Sequence, residues 1–429
     1  MLPAGPTLPR TLQTLAWVAR PGPFMWRAHR RHGDTFTVRL GAEPPLVFLS
    51  RPEHVREVFT GDPRLLHAGE GNRILLPFVG AHSVLLLDDD AHLRQRRLLL
   101  PPFHGERMRA YVDTIRDVAA REVASWRPGA RLRLAPRMQA ITLEVIMRAV
   151  FGVRDDAALR RLGAVLTRAL ETATRPPVLA LLATLGPERV DSRGLLRRTL
   201  APVRSLLAHE VATARADPEL AAREDVLAML VQARHQDGSP MADDELLDEL
   251  VTLLVAGHET TATALSWALE RLVRHPDALE RLREADEDEI GAYALAVARE
   301  TLRLRPVIPI VARRLTARAT FAGLDLPAGA GLAPCIWLLH RREDVYADPH
   351  AFRPERFLHG PPATYTWIPF GGGIRRCLGA SFALLEMTEV LRVVARGPRL
   401  APAGDGAHEP VRRRAITLAP GRRAAVAVG

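Results

Sequence analysis

No lysine occurs anywhere in the chain; all 59 basic side chains are arginine, and against 49 acidic residues they leave a net charge of +10. Aromatic residues make up only 5%. A nucleic-acid surface gathers its cations into a stripe, often with aromatics between them, whereas these arginines are scattered, so nucleic acid is not an expected partner. Long apolar runs are also lacking. Near the N-terminus the stretch LQTLAWVA, bracketed by Pro9 and Pro21, falls far short of the ~20 residues of a spanning helix. No charged n-region followed by an apolar stretch and a small-residue cleavage site marks a secretory leader. A protein without a membrane anchor, in the cytoplasm, is the expectation. Cysteine is scarcest of all: Cys335 and Cys377 are the only two. That number excludes a disulfide framework, and a reduced, buried thiol is the ordinary reading of each.

What is present is the mixture of a globular protein, 47% hydrophobic and 25% charged over 429 residues, enough for a large core. Residues 33–50 alternate apolar and polar at Phe36, Val38 and Leu40, turn through Glu43-Pro44-Pro45 and continue as LVFL, which predicts a hairpin. From about 92 to 305 the apolar spacing is helical. Strand and turn signals return between Arg313 and Pro334. Residues 338–376 are rich in Pro, Gly and His with little periodicity, and such a segment inside a compact chain is usually functional or packed around something. After Cys377 the apolar positions Phe382, Leu384, Leu385, Val390, Leu391 and Val394 predict a helix.

Cys377 sits in FGGGIRRCLGA, residues 370–380. A helix N-terminus and the cations Arg375 and Arg376 are settings that favour a thiolate. Zinc would require further Cys or His at ligand spacing, and a phosphate loop would require Gly-Lys-Ser/Thr; neither is there. What is left is a cysteine nucleophile, with no nearby histidine to recommend it, or a haem iron ligand, for which a single thiolate suffices. A second segment, AGHETT at 256–261, interrupts a long helical pattern with glycine and two adjacent threonines, each a poor helix former. Alone it reads equally well as tolerated residues on a long helix.

Taken together these segments resemble the cytochrome P-450 family. The pattern F-x-x-G-x-R-x-C-x-G, here Phe370, Gly373, Arg375, Cys377 and Gly379, is similar to that family's haem-ligand loop, and A-G-x-E-T-T is similar to its central helix where it crosses the distal haem face. ETLR at 300–303 and the segment HRREDVYADPHAFRPERF at 340–357 match its ExxR helix and the run before the haem loop. DDDAHLRQRRLLLPPF matches its early helix, and the likeness runs from GDTFTVRLG to RRRAITLAPGRR.

The resemblance implies one mainly helical domain over 1–429, with small accessory β-sheets around a buried haem b. It implies Cys377 as the iron ligand, Phe370 packed near the sulfur, and Gly379 as the point where the following helix approaches the ring. His92, Arg96, Arg375 and Arg313, with Arg314 competing for the last place, would meet the propionates. Ala256 would border the distal face. Thr260 would donate a hydrogen bond on the oxygen side and Glu259 would link it to solvent protons. Glu300, Arg303 and Arg356 would form a buried triad that braces the loop. The implied activity is insertion of one oxygen atom from O2 into an apolar substrate, with electrons from a separate ferredoxin or flavodoxin and its reductase. Two rivals are a haem-thiolate sensing protein without turnover and a peroxide-driven or O2-independent enzyme. The stretches RILLPFV, PPVLALLATL, VTLLVA and VIPIVA would line the pocket and suit a terpenoid, a steroid-like ring system or a fatty-acyl chain.

Overall fold

The computed structural model describes residues 2–429 except 104, 106, 154, 174, 176, 177, 179, 180, 183, 184, 193, 361 and 405–407. Two short helices open the chain, α1 (Arg10–Ala19) and α2 (Pro21–His32). Proline at the first position of α2 costs nothing, because the amide it lacks has no intrahelical partner there. The predicted hairpin follows as β1 (Thr35–Val38) and β2 (Leu46–Leu49), antiparallel with Thr35 opposite Leu49 and Val38 opposite Leu46.

Strand β2 runs parallel to β8 (Gly331–Pro334), which pairs with β5 (Arg313–Leu315), and β5 with β3 (Leu66–His67), giving a five-stranded sheet in the order β1-β2-β8-β5-β3. Between β5 and β8 the chain makes a separate hairpin of β6 (Ala319–Phe321) and β7 (Leu324–Leu326). Strand β4 (Arg131–Arg133) interrupts the long helical run and joins β12 (Ala425–Val428) and β9 (Leu400–Pro402), while β10 (Val411–Arg414) pairs with β11 (Thr417–Pro420). The fold is mainly helical with these small, separate sheets.

At its centre lies a 31-residue helix, Asp243–Val273, with three acidic residues in its first turn where the helix dipole favours them. Every residue from Thr261 to Val273 is buried, as expected of a helix packed on all sides. Gly257, inside AGHETT, has a packing reason: a Cβ there would stand 2.7 Å from Ile146 Cδ1 on the helix Leu134–Ala149. The glycine lets the two helices approach, which the sequence shows only as a weak point. Among its described residues the segment 338–376 holds only single helical turns, the end of Ile336–Leu339, then Pro354–Phe357 and Gly373–Arg375, and the helix expected after the cysteine runs from Ala380 to Ala395.

The contact at Gly257 is testable by a double-mutant cycle. Gly257→Leu should destabilise the protein by about 1–3 kcal/mol through overpacking, and Ile146→Ala should recover part of that loss when combined with it. Additive losses in urea unfolding would show that the two positions do not meet.

Candidate functional site

The cysteine loop is turned by glycine. Gly371 (φ 69°) and Gly373 (φ 64°) occupy the left-handed region, and a Cβ on Gly373 would fall 2.2 Å from the Phe59 carbonyl oxygen. The Cys377 amide donates to the Phe370 carbonyl at 3.0 Å, and the Phe370 ring stands edge-on to Trp367. At Gly379 an added Cβ would meet no protein atom within 4 Å, so packing within the protein does not account for that glycine.

Burial pushes the Cys377 thiol above its ordinary range, opposed by the Gly379 amide, Arg96 and Arg376. Burial therefore outweighs the stabilisers read from the sequence, and a nearby positive centre would be required for a thiolate. The side chain is nevertheless exposed. A sulfur deep in the protein with open surface faces an internal space. Cys335 is the contrast: fully packed, its sulfur 3.6 Å from Met25 Sδ, its thiol pushed up to about 12 by burial.

Four basic side chains converge nearby from three segments: His92 and Arg96 from the helix Asp89–Leu99, Arg313 from β5, and Arg375 from the loop. His92 is buried, its Nδ1 has no hydrogen-bond partner among the described residues, and burial with repulsion from Arg375, Arg96 and Arg313 lowers it to about 3. Burial lowers Arg313 and Arg375 to about 10. Against this charge stands Asp88, which accepts from Arg375 at 2.5 Å; Arg375 also donates to the carbonyls of Val84 and Leu87. Among the described residues, the Arg313 guanidinium donates to the adjacent Ala312 carbonyl. Arg314, by contrast, is paired outward with Glu43 and Glu70, so Arg313 is the one that faces the cluster.

An orphaned imidazole and mutually repelling arginines beside an open thiol lack an anion. An iron porphyrin supplies both deficits, two carboxylates for the cluster and a cation for the sulfur. The donor set fits haem.

On the central helix, Ala256 has open surface at a position otherwise enclosed, and the Thr260 hydroxyl donates to its carbonyl at 2.6 Å, the bond to the preceding turn that threonine can make. Glu259 accepts from Gln139 at 2.9 Å and lies 2.9 Å from Arg414 Nη1. Burial raises its pKa, with Arg414 and Gln139 opposing. Gln139 and Arg414, from the helix Leu134–Ala149 and from β10, carry no signal in the sequence. Neither does His258, buried with its Nδ1 3.0 Å from the Thr142 hydroxyl and lowered to about 4 by burial.

The triad is assembled. Arg303 forms a bidentate pair with Glu300 at 2.7 and 2.8 Å, both side chains wholly buried, and Arg356 Nε reaches Glu300 at 3.2 Å. Arg303 spends its other donors on the carbonyls of His340, Pro349 and Ala351. His340 then extends the brace to the loop: the Ile368 amide donates to Nε2 at 2.9 Å, so Nδ1 carries the proton, 3.2 Å from the Arg303 carbonyl. This link is invisible in the sequence.

Of the segments expected to line a pocket, Phe78 packs with Leu181, Leu182, Leu185 and Val190, and Arg73 pairs with Glu188 at 2.7 Å. Residues 176, 177, 179, 180, 183 and 184 of the expected lid lie outside the described residues. Val251, Leu254 and Val307 are packed core.

A family model for cytochrome P450 matches residues 3–396. Putative cytochrome P450 135B1 of Mycobacterium tuberculosis (strain ATCC 25618 / H37Rv) is 42% identical over 435 residues, spanning 100% of this chain and 91% of its own length. Putative cytochrome P450 135A1 of the same strain is 40% identical over 423 residues, 98% of this chain and 93% of its own. Among solved structures, retinoic acid bound cyanobacterial CYP120A1 superposes with a TM-score of 0.86 at 24% identity, covering 100% of both chains. The cytochrome P450DA heme domain gives 0.84 at 22% identity, covering 100% of this chain and 97% of its own.

Two outcomes follow from this geometry. Arg356→Ala, which strands part of the buried Glu300 charge, should cost about 3–5 kcal/mol, read as a lower melting temperature and poor recovery of folded protein. His258 is held neutral in the fold down to about pH 4, while the unfolded chain takes up its proton below about 6.5. The unfolded state thus binds more protons as pH falls, and His258 contributes a loss of stability between those values, on the order of 3 kcal/mol in full. His258→Gln should flatten that part of the urea stability profile, and an unchanged acid slope would remove the assignment.

Proposed function

Because the chain belongs to the cytochrome P450 family of haem-thiolate monooxygenases, we propose that it inserts one oxygen atom from O2 into an apolar substrate, with Cys377 as the ligand of haem b. The observation that carries this reading is the open Cys377 sulfur beside four basic groups, against which Asp88 and, more weakly, Asp89 stand. Haem, when bound, supplies the iron that activates O2, and a thiolate ligand favours O–O cleavage.

The chain's own residues do the rest. Arg313, Arg96 and His92 would hold the propionates, and Arg375 would join them while fixed by Asp88. Thr260, whose single hydroxyl proton is donated to the Ala256 carbonyl, would turn that proton away from the carbonyl to donate on the oxygen side. Glu259, held at an elevated pKa by burial, passes protons inward from the side of Gln139 and Arg414. The whole chain is one domain in this reading, which the span of the family match supports. A sensing protein would not use the Glu259–Thr260 pair, and peroxide-driven relatives often lack it.

Electrons come from a separate ferredoxin or flavodoxin with its reductase, and two free thiols suit the reducing cytoplasm. The substrate is a terpenoid, steroid-like or fatty-acyl compound, with a terpenoid first. Apolar stretches around Phe78 and Ile308–Ala312 support that, since burying apolar surface gains ~25 cal/mol per Å² while an unpaired charge is penalised. The structurally similar cyanobacterial protein is bound to retinoic acid, an isoprenoid of this kind.

The reduced carbonyl complex should show the strongly red-shifted Soret band of a thiolate-ligated haem, lost in Cys377→His with haem still bound. Thr260→Ala should consume reducing equivalents at a similar rate but release peroxide in place of product. A wild-type spectrum in the first variant, or wild-type product yield per electron in the second, would overturn the respective role.

A further inference from the structure

The described residues leave six large apolar side chains exposed, and four of them are Leu8 (49% exposed), Leu12 (48%), Leu15 (63%) and Val18 (49%). Spacings of four, three and three place them on one side of α1 and the residues leading into it. This is the stretch LQTLAWVA, too short to span a bilayer and so far without a use.

The stripe is not the exposed remnant of a loose helix, because the opposite face is firmly held. Trp17 is buried, edge-on to Phe24 and Phe48. Gln13, also buried, donates to the carbonyls of Pro6 and Leu8 at 3.0 and 2.8 Å and accepts from the Arg39 amide at 3.0 Å. A helix pinned by one face presents the other in a fixed orientation.

Charge around the stripe is mainly positive; Glu43, whose carbonyl accepts from Arg10, has its carboxylate paired with Arg314. Residues 1–33 contain five arginines and no acidic residue. Arg10 and Arg20 flank α1, and Arg27, Arg30 and Arg31 are exposed on α2, which packs against it. Asp34, the first acid in the chain, is already paired with Arg342 at 2.6 Å. An apolar face with mainly cations around it is the signature of a helix lying in a membrane interface, leucines among the acyl chains and arginines at anionic headgroups. A second copy of this chain is a poor occupant, since α1 against α1 would bring two sets of unpaired arginines together.

We infer that α1 and α2 form a peripheral docking surface for anionic lipid bilayers, with Leu8, Leu12, Leu15 and Val18 entering the interface. The inference is independent of the haem reading. A surface of this kind would place the protein where apolar compounds concentrate.

Co-sedimentation of the haem-loaded protein with phosphatidylglycerol-rich vesicles and with pure phosphatidylcholine vesicles tests it. Binding should be strong to the first, weak to the second, and should fall as salt rises. Leu12→Ser with Leu15→Ser should weaken partition by about tenfold or more, with the melting temperature and carbonyl spectrum unchanged because both positions are exposed. Arg30→Gln with Arg31→Gln should reduce the preference for anionic vesicles. Failure to sediment with anionic vesicles, equal binding by the leucine variant, or a dimer in gel filtration that dissolves in that variant without any vesicle binding, would overturn it.

Discussion

Everything at the site hangs on Glu300 and Arg303, two side chains with no exposed surface. The chain between β8 and the last long helix makes almost no regular structure, so its backbone groups need partners from elsewhere. Arg303 provides them, using its planar fork on Glu300 and its remaining donors on three carbonyls of that segment. The strength of a buried pair lies less in its own attraction than in the cost of separating it. Once His340 carries the connection to Ile368, the position of the cysteine loop is tied to a helix in the core.

The second constraint is electrostatic. Basic groups from three segments crowd one region, and the protein on its own offsets them poorly. A fold tolerates unbalanced charge where a ligand of opposite sign belongs, so crowding of this kind marks a candidate binding site. The same reasoning separates neighbours that the sequence leaves equivalent: Arg313 turns inward to the unbalanced region, and Arg314 outward to two carboxylates.

The central helix shows how one short motif serves two physical purposes. Gly257 removes a side chain so that the helix Leu134–Ala149 can approach, and that approach brings Gln139 to Glu259 and Thr142 to His258. Thr260, next along, uses its hydroxyl on the turn before it. Helix packing and the hydrogen bonds of His258, Glu259 and Thr260 are thus coupled through four adjacent residues.

By itself the sequence determined the class of fold, the hairpin at 33–50, the strands near 313–334, the irregular run before Cys377 and the helix after it. These are local properties, set by apolar period, proline and glycine. It also carried the family resemblance that points to the candidate site, since a cysteine in a glycine-rich basic loop and the run AGHETT are contiguous motifs. Only the tertiary structure decided which of two adjacent arginines faces inward, that His340 links the triad to the loop, that Gln139 and Arg414 hold Glu259, and that burial outweighs the cations at Cys377. Each of these joins residues far apart in the chain, and burial and charge balance are sums over neighbours that no local pattern encodes.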